Sequence, residues 1–187
     1  LPLTAPAVEV LPARLAAISA GPGTSLTVSM QEAAGSRLRS ALEDEGVPKA
    51  IHDYKAAIHA FEAQGVKLRG VRHDPMLYSY LLDPTYSSHH LAEVALRRFN
   101  LKLSGTLAES ADVTGRFAAA LRQQIEQGGL LKLYREIDLP LVPVLARMDQ
   151  AGVKIDRAVL AEMSSRLERE GEAKARDIYQ LTGPVVH

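Results

Sequence analysis

Apolar and polar positions alternate in short blocks at the start of the chain and recur at helical spacing afterwards. Ala7-Val8-Glu9-Val10-Leu11 reads as a strand, and Pro12 restricts it to a strand end or an edge. Leu15 to Ser19 and Ser25 to Met30 flank the turn cluster Gly21-Pro22-Gly23-Thr24, which predicts a hairpin. Beyond Met30 the period lengthens, and Ala33, Leu38 and Leu42 predict a helix ending near Gly46. Val47 to His52 reads as a short strand, with Asp53 as N-cap of a helix closed by Gly65. Val66 to Val71 reads as another strand. Asp74-Pro75 then marks a helix start, with Leu77, Tyr80 and Leu81 as its apolar face. Ser88 is the expected cap of a helix running to Phe99. A longer helix follows over Leu107 to Gln127, stopped by Gly128-Gly129.

Strands alternating with helices predict a layered α/β domain over residues 1–128, and the opening hairpin makes its sheet mixed. From 129 to 187 the pattern is helical throughout. Leu133, Ile137, Leu141, Leu145 and Met148 form one amphipathic stripe, and Pro140 and Pro143 predict a kink or restart within it. Asp156 caps a last helix, whose Leu160, Met163, Leu167, Lys174, Ile178 and Leu181 recur at near-heptad spacing. That stripe calls for a partner, either a following helix or a second copy of the chain. With an opening Leu1-Pro2-Leu3 in place of Met, the expectation is a section of something longer.

Composition narrows the chemistry. The 187 residues carry 22 basic and 22 acidic side chains, 47% apolar residues and no cysteine. Disulfides, thiolate metal sites and cysteine nucleophiles are thereby excluded, and a reducing, cytoplasmic setting fits. No apolar run approaches the ~18 residues of a membrane span. Zero net charge argues against a non-specific nucleic-acid binder, which usually carries a basic excess. Gly21-Pro22-Gly23-Thr24-Ser25 lacks the Lys of a phosphate-binding loop, and no G-x-S-x-G elbow is present. The six histidines show no metal-ligand spacing: His89 and His90 are adjacent and point apart on a helix. Asp53, Asp74 and Asp112 read as helix caps or surface acids.

The run Lys67-Leu68-Arg69-Gly70-Val71-Arg72-His73-Asp74-Pro75-Met76-Leu77-Tyr78-Ser79-Tyr80-Leu81-Leu82-Asp83-Pro84 resembles family A DNA polymerases of the bacterial polymerase I type. The similarity continues through Ser87-Ser88-His89-His90-Leu91, Leu96-Arg97-Arg98-Phe99 and Glu109-Ser110-Ala111-Asp112-Val113-Thr114. Glu136-Ile137-Asp138-Leu139-Pro140-Leu141-Val142-Pro143-Val144-Leu145 and Gly152-Val153-Lys154-Ile155-Asp156 resemble that family's passage into the polymerase thumb. The resemblance implies an RNase H-like 3′→5′ exonuclease fold, a mixed sheet flanked by helices, followed by long polymerase helices. It implies DNA and the downstream polymerase domain as partners, and Mg²⁺ as the parent polymerase's cofactor.

Active exonucleases of this family hold two divalent cations with four carboxylates. Two such ions about 4 Å apart repel by roughly 16 kcal/mol at an effective dielectric near 20, so only a cluster of negative ligands can hold them. Carried over residue by residue, the first Asp-x-Glu pair falls on Ala7-Val8-Glu9, leaving Glu9 as a remnant. The third ligand falls on Ala57, with Asp53 about a turn away. The last falls on Ser110, and the accompanying Tyr on Thr106. Asp112 lies two places beyond that ligand position. These departures imply an exonuclease without catalytic or metal-binding residues of its own. The alternative is an active metal-dependent proofreading exonuclease with displaced ligands. For DNA contact, Lys55, Arg69 and Arg72 are the candidates, with Lys49 and Lys67 beside them. Arg97, Arg98 and Lys102 form a second basic group.

Overall fold

The computed structural model describes residues 7–11 and 15–182. Three strands open the chain: β1 (Ala7–Leu11), β2 (Leu15–Ser19) and β3 (Ser25–Ser29), joined as an antiparallel meander. The turn between β2 and β3 closes with the Thr24 N–H donating to the Gly21 carbonyl, and Gly23 supplies the positive φ of 73°. Two further strands, β4 (Lys49–Ala50) and β5 (Val71–His73), run parallel to β1, giving the order β3-β2-β1-β4-β5. The sheet is mixed, as expected, and β1 is central. With β2 on one side and β4 on the other, β1 is not an edge strand; Pro12 lies outside the described residues.

Helices α1 (Ala33–Glu43), α2 (Tyr54–Glu62), α3 (Pro75–Leu82), α4 (Leu91–Phe99) and α5 (Leu107–Gln127) flank the sheet. One core joins Val8, Leu42, Ile51, Phe61, Val66 and Val71. A second joins Tyr78, Val94, Phe117, Leu121 and Ile125, where Phe99 and Phe117 stack at 4.1 Å. α5 serves both layers: Ala118 meets the sheet, while Phe117 and Leu121 enter the second core. Beyond it come a short helix α6 (Leu131–Leu133), a π-helical turn (Tyr134–Asp138) and α7 (Leu139–Ala151), so the restart expected near Pro140 falls one residue before it.

Several local expectations are corrected. The strand expected over 47–52 pairs only at Lys49–Ala50. The one expected over 66–71 is displaced to Val71–His73. Gly70 adopts φ +68°, and a Cβ there would lie 2.5 Å from the Val47 carbonyl, so the chain turns sharply before it can pair. Arg69 accordingly donates its N–H to the Leu42 carbonyl, not to a strand. On α3 it is Tyr78 and Ser79 that are buried, and Tyr80 is exposed. α4 starts after His90, not Ser88. The stripe of Leu133, Ile137, Leu141, Leu145 and Met148 is exposed, and the buried line is Tyr134, Val142 and Ala146. No helix among the described residues is long and apolar enough to cross a membrane.

The chain forms two compact units, Leu1–Gln150 and Ala151–His187. The second holds α8 (Arg157–Thr182), capped as expected by the Asp156 carboxylate, which accepts the Ala158 and Val159 N–H groups. Its Leu160, Met163, Leu167 and Ile178 are all exposed.

Candidate functional site

The three positions onto which the resemblance carries acidic ligands, Ala7, Ala57 and Ser110, lie on β1 and on the two helices that pack against it, α2 and α5. Ala7 pairs with Ser19 on one side and Ala50 on the other. With Ala50 and Ala118 it forms a sealed cluster in which all three are 0% exposed. A Cβ added to Gly115 would lie 3.2 Å from that of Ala7, so α5 rides close over the strand. Ala57 is buried on α2 beside Ile58 and Phe61. Both positions are filled by hydrocarbon packing.

The stretch Thr106–Ser110 forms the capped start of α5. Thr106 accepts the Glu109 N–H at 3.3 Å, and the Glu109 carboxylate reaches back past it to accept the Ser104 N–H and hydroxyl and the Gly105 N–H. These bonds, that from the Ser104 hydroxyl first, hold the Glu109 carboxyl below its ordinary pKa. Asp112 accepts the Gly23 N–H at 2.6 Å, tying the hairpin turn to α5, and faces Arg116 at 3.8 Å. Asp53 caps α2 through the Ala56 N–H. For Glu9 the backbone pairs with Ala17, and its side chain lies outside the described residues.

A family model for the ribonuclease H-like domain of DNA polymerase I matches residues 13–104. Rhizobium leguminosarum DNA polymerase I is 31% identical over 172 residues, covering 79% of this chain and 17% of that protein. The polymerase domain of Pol1 from M. smegmatis, solved in complex with DNA primer-template and dNTP, superposes with a TM-score of 0.77 at 28% identity. It covers 98% of this chain and 35% of that one. This chain carries a ribonuclease H-like domain of the DNA polymerase I family. Brucella melitensis NrnC, solved with bound Mg²⁺, shares the fold, with a TM-score of 0.64 at 21% identity and coverage of 83% and 90%. The chain spans less than a fifth of the length of the curated relatives it matches.

The side chains described, which leave out that of Glu9, do not fit the Mg²⁺ that the family implies. Among the described residues no three His, Asp or Glu side chains of this ribonuclease H-like domain come together as a cation site. His52 is a core residue whose burial drives its pKa down to about 3, and His59 sits against Asp149 at 3.4 Å.

The basic candidates are dispersed. Lys55 pairs with Asp149 at 2.9 Å and Arg72 with Glu45 at 3.1 Å, while Arg69 is exposed. Lys49 is buried, its ammonium donating to the Asp44 and Val47 carbonyls, so it belongs to no surface patch. Arg97 covers the Tyr86 ring at 3.8 Å, and Arg98 bonds Gln124.

The sequence did not reveal a polar hub that the fold builds beneath β5. Asp74 is buried and accepts the N–H groups of Asp53, Tyr54 and Met76. Its own N–H donates to the Tyr134 hydroxyl, which in turn donates to the Arg72 carbonyl. Tyr134 packs on Tyr78 with ring centroids 4.5 Å apart, and Tyr78 bonds His73 Nδ1 at 2.7 Å. Outside this hub a cleft of about 450 Å³ opens, lined by Arg72, His73, Tyr78, Arg122, Leu131, Arg135 and Leu139. No spacing in the sequence signals it, because its cations come from three separate elements.

Burial sets the acid response. It lowers His52 to about 3 and His73 to about 4, the latter helped by Arg122 and Arg135, and raises Asp74 to about 7. Between pH 6.5 and 4 the unfolded chain therefore binds both histidine protons that the native state refuses. Stability is lost as pH falls, by up to about 1.4 kcal/mol per pH unit for each histidine. Asp74 opposes this, since the native state holds its proton up to about 7 and loses stability as pH rises from about 4. Urea unfolding should show a net loss of stability on acidification, steepened by Asp74→Asn. An unchanged slope in that variant contradicts the assignment.

Proposed function

We propose that this ribonuclease H-like domain has lost 3′→5′ exonuclease catalysis and serves as a non-catalytic part of a DNA-extending polymerase in the cytoplasm. In this reading Mg²⁺ and the grip on DNA belong to the parent polymerase, in regions of the relatives that this chain does not span. The observation that carries it is Ala7. The position of the first metal-binding carboxylate holds a methyl group closed over by Ala118 and Gly115. Ala57, buried among apolar neighbours, and Thr106, recruited to a helix cap, support the same reading.

The test is a single-stranded oligonucleotide labelled at its 5′ end, incubated with the 187-residue chain and Mg²⁺ or Mn²⁺. The expected result is an undiminished strand. Metal-dependent shortening from the 3′ end overturns the proposal and identifies an exonuclease with displaced ligands.

A further inference from the structure

The cleft beneath β5 gathers more positive charge than packing explains. Arg72 and His73 come from β5, Arg122 from the C-terminal third of α5, and Arg135 from the π-helical turn. No carboxylate lines it. Arg72 and Arg122 each pair with one carboxylate, Glu45 and Glu126, while Arg135 has no ion-pair partner among the described residues. Glu45 and Glu126 offset two of the three guanidiniums, which leaves the charge of Arg135 and the unused donors of the other two facing the opening for an anion.

We propose that this cleft is a binding site for a phosphate group carried on a nucleotide, free or within a strand. The planar donors of Arg suit phosphate oxygens, which they can engage two at a time. His73 adds a donor or acceptor: its Nδ1 is engaged by Tyr78, which leaves Nε2 as the ring's other polar atom. Leu131 and Leu139 supply an apolar wall for a sugar or base. The volume, about 450 Å³, is far larger than inorganic phosphate and lies within the ordinary range of small-ligand sites. Burial and the two nearby arginines both depress His73, so the positive field at the cleft is felt by a group inside it. The site lies at edge strand β5, whereas Ala7 is on the central strand, and it needs no divalent cation.

The test titrates the 187-residue chain, in low salt with a chelator present, with inorganic pyrophosphate, a deoxynucleoside triphosphate and a short single-stranded oligonucleotide. Calorimetry reads affinity, and the His73 ring signals in NMR report the place. Binding of at least one probe is expected, with movement of the His73 resonances. Arg122→Ala and Arg135→Ala should each weaken it by about tenfold or more, with Arg135→Lys recovering part of the loss. Arg37→Ala, exposed on α1 and outside the cleft, should leave binding unchanged. Preference for the oligonucleotide assigns the phosphate to a strand, and preference for the triphosphate or pyrophosphate assigns it to a free ligand. Silence from all three probes overturns the proposal, as does binding that is indifferent to Arg122 and Arg135. Because no metal is present, exonuclease activity in the separate assay leaves this result intact.

Discussion

Replacing Tyr134 with alanine should destabilise the ribonuclease H-like unit by about 3–5 kcal/mol, and replacing it with phenylalanine by about 1–3 kcal/mol. The side chain is 1% exposed and its ring rests on Tyr78, so truncation opens a ring-sized cavity between α3, α5 and the π-helical turn. The smaller cost comes from one oxygen. That hydroxyl takes the N–H of Asp74 and gives its own proton to the Arg72 carbonyl, so phenylalanine leaves both backbone groups unpaired. Asp74 in turn gathers the N–H groups of Asp53 and Tyr54, so α2, β5, α3 and the turn share one bonded centre. For a unit of about 150 residues each kcal/mol shifts Tm by about 2–4 °C. Urea unfolding of the full chain should rank wild type above Tyr134→Phe above Tyr134→Ala. If phenylalanine matches wild type, the bonds through the hydroxyl have no stabilising role. If alanine costs under about 1 kcal/mol, the site collapses freely and the hub is not a keystone.

That hub also marks where the sequence stops being informative. Asp74 followed by Pro75 is visible as a helix start, and α3 begins there. What spacing cannot show is that Tyr134, sixty residues later, returns to bond the same peptide. α5 was legible over its whole length because its signals are local: an apolar face and paired glycines at the stop. β5 was misplaced because Val66 and Leu68 are buried like strand residues, yet Gly70 turns the backbone before a ladder can form. The exposed stripe from Leu133 to Met148 shows a different limit. Apolar residues lie on both sides of that segment, and only the fold decides that Tyr134, Val142 and Ala146 go inside. The assignment of ligand positions rests on resemblance alone. That Ala7 is sealed depends on how closely Gly115 lets α5 approach, which is a tertiary fact. The arginine cleft is of the same kind, since Arg72, Arg122 and Arg135 share no local pattern.

Ala7→Asp, which places an acid where the proposed function puts the first missing ligand, should destabilise the domain by about 3–5 kcal/mol and leave it without exonuclease activity. The site is 0% exposed between Ala50 and Ala118, with α5 too close for a larger side chain to lean outward. A carboxyl forced in there is surrounded by the methyl groups of Ala50 and Ala118 in place of water, so its neutral form is favoured and its folded pKa rises above the ordinary ~3.9. The sign follows: the penalty is smallest at low pH and grows as pH rises above about 4, because only the unfolded chain ionises freely. Adding Mn²⁺ discriminates between a merely buried acid and a latent ligand. An acid with no companions gains nothing from the ion, whereas a site that binds it is stabilised by about 2.7 kcal/mol at a hundredfold excess over Kd. The expected outcome is no metal stabilisation for Ala7→Asp, and no strand shortening for Ala7→Asp combined with Ala57→Asp and Ser110→Asp. Stabilisation by Mn²⁺ together with renewed exonuclease activity would reverse that reading. The loss would then reside in three side chains, with the architecture around them still fit for catalysis.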